Sequence, residues 1–325
     1  MTDKQDFHFP VVHNGMDYLV SVVNHLATTS EPRAAKYAVL HLQAATEVLL
    51  KWPLIQHDWC LVVEPNDNGD ICDKATFERG DFRSIGLNAA IRLLKDELDI
   101  VVSSRSKRAI SRLSNHRNRL QHLGMTGSTE AIEASAAKVL DFLLDFVHEH
   151  LRPTLNQSDA EHVIEQMTVV RASLANIQSL ISARMTRIKT QLSNGVGPAV
   201  ECSECGQYAA VVDAATLTVS CLFCHSSWKP EEAAEAYANG VLRLSWFTAV
   251  ADGGEDPVLT CPECDLLTLV RGTRLSDTPD AQDDFCFNCG QQFTGMHSCE
   301  GGCGTLTDSD TGLCWDCESN ARARF

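Results

Sequence analysis

Six short-spaced cysteine pairs constrain what this chain can fold into more than any other feature. Cys202-x2-Cys205, Cys221-x2-Cys224, Cys261-x2-Cys264, Cys286-x2-Cys289, Cys299-x3-Cys303 and Cys314-x2-Cys317 all lie beyond Gly197, while Cys60 and Cys72 stand alone before it. Thiolates with two or three residues between them reach one ion through a tight turn, and four of them close a tetrahedral shell with no open position. The pattern predicts three structural Zn2+ sites in a reducing, cytoplasmic setting rather than a disulfide framework.

Pairing neighbours in order gives three zinc ribbons, with gaps of 15, 21 and 10 residues between the paired motifs. Cross-bracing of the last eight cysteines is an open alternative. The β-rich run Tyr208–Ser220 suits a hairpin in the first ribbon. His225 and His297 are surplus to the four-sulfur shells and read as structural or solvated.

Charge separates the two halves. Residues 1–198 hold 21 Lys+Arg and 23 Asp+Glu, net -2; residues 199–325 hold 6 and 20, net -14. Trp228, Trp246, Phe287 and Trp315 could stack on bases, but phosphate affinity rests on Lys and Arg. The aromatics are therefore read as small ribbon cores. The ribbon half is read as an arm that binds a protein partner, or as an acidic competitor for the basic stretch in the first half.

That basic stretch runs from Ser103 to Gly124. It holds Arg105, Lys107, Arg108, Arg112, Arg117 and Arg119 with no Asp or Glu, in a chain of net charge -16. Ser103 or Ser104 is an N-cap and Gly124 a stop. Ile110, Leu113 and Leu120 form the apolar stripe of this helix, and Arg117 falls on it, facing a core or a subunit interface where an unpaired charge is costly. Asn118 and His122, four apart, share a face, so the amide can orient the imidazole. Arg117 and His122, five apart, are separated by about 140° around the helix. Two copies of the helix meeting across a dimer axis could aim both at one phosphate.

Around it, helical periodicity predicts helices from Val11 to about Thr28, Pro32 to about Lys51, Ser84 to about Leu98 and Ser128 to Leu151. Between His57 and Phe82 lies a polar segment with a short strand at Cys60–Glu64, long enough to act as a lid or binding loop. Glu47 sits in the otherwise apolar second helix and is expected to pair with Arg117, directly or through His122. A further pattern from Asp159 to Ser193 reads as one long helix of about four heptads interrupted by Arg184. It either lies along its own bundle or forms a dimerising coiled coil. Asn194-Gly195-Val196-Gly197-Pro198 then breaks the chain. No apolar run approaches the roughly 18 to 20 residues of a membrane span.

Arg117-x4-His122 with Asn118 directly after the arginine resembles the motif of HEPN ribonucleases. Tyr37–Trp52, YAVLHLQAATEVLLKW, is similar to the HEPN helix that carries one acidic residue in an apolar run. The fold expected is thus mainly α: a HEPN-like helical bundle over 1–155, a long helix over 156–195, and small β-rich zinc ribbons over 199–229 and 256–325. The resemblance implies a dimeric, metal-independent endoribonuclease that leaves 2′,3′-cyclic phosphate, with toxin-like or antiviral roles. It makes His122 the general acid or base, Arg117 the stabiliser of phosphoryl charge, Asn118 and Glu47 their positioning partners, and Arg108, Arg112 and Arg119 the RNA-binding residues. The rival reading is a non-catalytic HEPN-like adaptor that presents its ribbons to a protein partner.

Overall fold

The computed structural model describes residues 9–28, 31–195, 197–244, 256–303 and 306–322. The chain divides into two compact units, Met1–Arg184 and Met185–Phe325. Trp246 lies outside the described residues.

The first unit is helical. Helix α1 (Val11–Thr28) lies along α2 (Pro32–His57), α3 (Lys74–Glu78) sits in the connection, and α4 (Leu87–Leu98), α5 (Ser104–His122) and α6 (Thr129–Phe146) follow. α1 buries Val12, Met16, Leu19, Val22, Val23 and Leu26 on one side. It approaches α2 closely at Gly15, where a Cβ would sit 2.5 Å from Leu49 Cδ2. The second helix runs six residues beyond its expected end and passes through Pro53. Trp52, Pro53 and Leu54 are all buried, and that burial offsets the hydrogen bond a helix-interior proline removes.

Three expectations are corrected. The Cys60–Glu64 strand is a 3-10 turn, Trp59–Val62, capped by Asp58, whose carboxylate accepts from Cys60 N–H. Only Val63 pairs, with Ser84, as an isolated bridge. The fifth long helix changes to a π-helical turn over Val147–Leu151. The 156–195 helix is two helices, α7 (Gln157–Leu174) and α8 (Gln178–Ser193). Ser173 and Leu174 carbonyls accept from Asn176 and Ile177 N–H, a turn that keeps Leu174, Ile177 and Leu180 all buried.

No coiled-coil seam is needed to explain this pattern, because α7 packs on α1 of its own bundle. Arg184 is the reason the heptad is interrupted. It is fully buried, donates to Asp141 Oδ1 at 2.6 Å and Asp141 O at 3.2 Å, and lies 2.8 Å from Asp145. Two carboxylates of α6 thus hold the first half of α8.

The second unit repeats one plan twice. Strands β1 (Ala199–Glu201), β2 (Tyr208–Asp213), β3 (Thr218–Cys221) and β4 (Ser227–Trp228) form one antiparallel sheet in sequential order. Strands β5 (Val258–Thr260), β6 (Leu267–Thr273), β7 (Asp283–Cys286) and β8 (Gln292–Phe293) form another with the same order. Even the register break recurs, at Val200/Glu201 and at Leu259/Thr260. Helix α9 (Pro230–Gly240) packs against β6; its fully buried Tyr237 accepts from Arg274 N–H at 2.8 Å. Burial pushes that phenol up to about 12. A two-stranded ladder, β9 (His297–Ser298) with β10 (Leu306–Thr307), and a helix Trp315–Arg322 make the last module.

Candidate nucleic-acid interface and metal centres

The basic helix begins as its sequence dictates: Ser103 Oγ caps α5 by accepting from Ser106 N–H at 3.0 Å. Ala109, Ile110 and Leu113 are its buried side, packed between α2 and α6, and Ser114 donates to buried Gln43 of α2 at 3.0 Å. Beyond Leu113 the helix leaves the core. Arg117 and Leu120 are only half-buried, and Asn118, Arg119 and His122 are exposed. Leu123, directly after the helix, is 90% exposed.

The proposed catalytic set is not assembled within one chain. Glu47 pairs with Lys51 Nζ at 2.8 Å, and that ammonium also donates to Ser84 Oγ at 3.0 Å. Arg117 donates to Gln121 Oε1 at 3.2 Å, along its own helix. The expected Glu47–Arg117 pair is therefore replaced by an i, i+4 contact on each helix, the shortest route to satisfying each charge. Asn118 and His122 share a face but bond to no other side chain among the described residues, so the imidazole is not oriented by the amide.

A different histidine is organised. His116 lines a cleft of about 430 Å³ between α5 and α6, together with Arg105, Arg108, Arg112 and Lys138. No carboxylate is among the lining residues, and Ala109, Met125, Ala131 and Ile132 supply its apolar part. Burial, then the charges of Arg119 and Arg112, hold the His116 ring below the ordinary histidine range. Its Nδ1 is buried and has no hydrogen-bond partner. The sequence signal for this cleft is the 3, 4, 4 spacing of Arg105, Arg108, Arg112 and His116, one helical face. Arg108 and Arg112 were expected to hold phosphates; His116, Arg105 and Lys138 were missed because the motif drew attention to His122 and because Lys138 comes from another helix.

The twelve cysteines gather in chain order: Cys202, Cys205, Cys221 and Cys224; Cys261, Cys264, Cys286 and Cys289; Cys299, Cys303, Cys314 and Cys317, each group with its sulfurs within 4.8 Å of one another. The cross-braced alternative is therefore excluded. Metal–sulfur bonds of about 2.3 Å at tetrahedral angles place sulfurs roughly 3.8 Å apart. Sulfur separations of 3.7 and 3.8 Å in the first group, 3.8 and 3.7 Å in the second and 3.5 Å in the third match that shell. The sites fit a metal ion.

Each motif of the first two centres is closed by one turn. Gly206, His225, Asp265 and Gly290, each directly after the second cysteine, have φ of 67, 59, 57 and 70°. Each donates its N–H to the carbonyl of the first cysteine at 2.9 to 3.0 Å. His225 is thus the turn residue of a knuckle, not a ligand. His297 lies on β9, outside the sulfur groups.

No protein-family model, curated protein or solved structure matches this chain. What it does is carried by its own side chains. Of the four aromatics expected to form ribbon cores, Phe287 is buried between Tyr237 and Phe285, Trp228 is half-buried, and Trp315 is 79% exposed. Trp315 borders a groove with Phe293, Met296 and Leu306, rimmed by Glu263, Asp308 and Asp316. No helix among the described residues is long and apolar enough to cross a membrane.

Proposed function

We propose that the chain is an endoribonuclease whose active site is completed by a second copy of itself, with Zn2+ in its three tetracysteine centres serving structure alone. The observation that carries this reading is the end of α5, where Arg117, Asn118 and His122 stand out from the bundle beside the 90% exposed Leu123. A dimer formed through this end of α5 would cover Leu123 and bring the basic residues of two chains together. In such a dimer, Arg117 of one chain and His122 of the other meet at one phosphate, a convergence that the separation of about 140° hinders within a single helix.

In the reaction, a ribose O2′ attacks the adjacent phosphorus and the bond to O5′ breaks. His122 takes the O2′ proton or supplies one to the departing O5′, work an imidazole can do because its ring nitrogen both accepts and donates a proton. The Arg117 guanidinium holds the nonbridging oxygens as their charge grows. The products are a 2′,3′-cyclic phosphate and a 5′-hydroxyl. DNA, lacking the 2′-hydroxyl, is not a substrate.

A second reading, a non-catalytic adaptor, is favoured by the Glu47–Lys51 pair, which occupies the carboxylate expected beside Arg117, and by the acid-rimmed groove at Trp315. One experiment separates the two. Purified protein is incubated with mixed RNA in magnesium-free buffer beside Arg117→Ala and His122→Ala, and fragment ends are analysed. Cleavage that leaves cyclic phosphate and falls by roughly 10²-fold or more in His122→Ala supports the nuclease. Wild type that cleaves nothing moves the assignment to the adaptor.

A further inference from the structure

The cleft between α5 and α6 has no part in the bond-making and bond-breaking just described. Arg105, Arg108, Arg112 and His116 line its α5 wall, and Lys138 faces them from α6. At 1.5 Å per residue, Arg105 to His116 spans about 16 Å, longer than one phosphate group and suited to several in a row. Four cations around one cleft with no lining carboxylate repel one another, and an anion relieves that repulsion.

Two further observations narrow the anion. His116 also lines the cleft, and its buried Nδ1 has no hydrogen-bond partner, so the ring is not committed to a neighbouring side chain through that atom. Ala109, Ile132 and Met125 give the same cleft an apolar part, which an occupant carrying apolar surface beside its negative charge would also cover. Guanidinium forks match phosphate oxygens two at a time.

We propose that this cleft is a binding site for consecutive phosphate groups, held by Arg105, Arg108, Arg112 and Lys138 with His116 as a hydrogen-bonding partner at its inner end. The phosphates are those of an RNA strand or of a free oligophosphate. Assignment to the strand rests on the ribonuclease reading; the phosphate chemistry does not.

The test uses the full-length protein with labelled histidine, following the His116 ring by NMR. Inorganic pyrophosphate, a short 2′-O-methyl oligoribonucleotide that cannot undergo 2′-hydroxyl attack, and poly-glutamate are titrated separately. The expected result is that pyrophosphate and the oligoribonucleotide both shift the His116 resonance. Arg108→Gln and Arg112→Gln each weaken binding roughly tenfold or more, while Lys74→Gln, on an exposed side chain that does not line the cleft, does not. A shift with pyrophosphate and none with the oligoribonucleotide assigns the site to free oligophosphates. No shift with either, a shift with poly-glutamate alone, or full binding by Arg112→Gln overturns the proposal. If the oligoribonucleotide shifts His116 but unmodified RNA is never cleaved, the cleft stands and the nuclease reading falls. If RNA is cleaved with unchanged kcat/KM in Arg112→Gln, the nuclease reading stands and the cleft does not hold the RNA strand.

Discussion

At the scale of single residues, side chains with two candidate roles took the nearer partner. Glu47 reaches Lys51 and Arg117 reaches Gln121, each one helical turn away on its own helix. Such contacts cost little chain entropy, so they win over a pair that requires two helices to be set in register. His225 took a backbone role instead of a metal: its φ of 59° is the left-handed conformation that Gly206 and Gly290 supply at the equivalent turns. A β-carbon there costs about 1–2 kcal/mol, less the entropy glycine loses on folding. His225→Gly is therefore expected to keep all metal and to be neutral or up to about 1 kcal/mol more stable in urea unfolding. Metal analysis showing the first centre empty in this variant would identify His225 as a ligand after all.

Elements were reshaped wherever burial competed with local pattern. α2 continues through Pro53 because Trp52 and Leu54 are buried on either side of it. The heptad pattern between Asp159 and Ser193 yields two helices because Ile177 and Leu180 are drawn into the interior after Leu174. The arginine that interrupts that pattern is the pin of α8. Arg184→Met would leave Asp141 and Asp145 without their buried cation, a change that destabilises by about 3–5 kcal/mol. Denaturant titration followed by far-UV circular dichroism should show this loss. A change below about 1 kcal/mol would mean the triad does not hold the helix.

For the whole molecule, the question is whether two chains make one site. A composite site predicts complementation: Arg117→Ala and His122→Ala, each inactive alone, recover activity when mixed and allowed to exchange subunits. The mixed dimer then retains one intact Arg117 facing one intact His122, and up to about a quarter of wild-type activity returns if half the dimers are mixed and each has one of two sites. Leu123→Glu, which places a charge on the exposed apolar contact, is expected to give a monomer by sedimentation and to abolish cleavage. A monomeric variant that cleaves normally would remove the dimer from the mechanism.

The metal centres were legible in the sequence because their ligands are local: two cysteines three or four residues apart share a turn, and six such pairs, two to a centre, account for all twelve sulfurs. The cap at Ser103, the long helices and the basic character of α5 were legible for the same reason, since each is set by residues within a few turns of one another. What only the tertiary structure decided is which charges meet. Arg184 went to Asp141 and Asp145, and Lys138 to the cleft beside His116. A charge can choose among distant partners, and only the packed arrangement of helices fixes which of them is near enough to lower its energy.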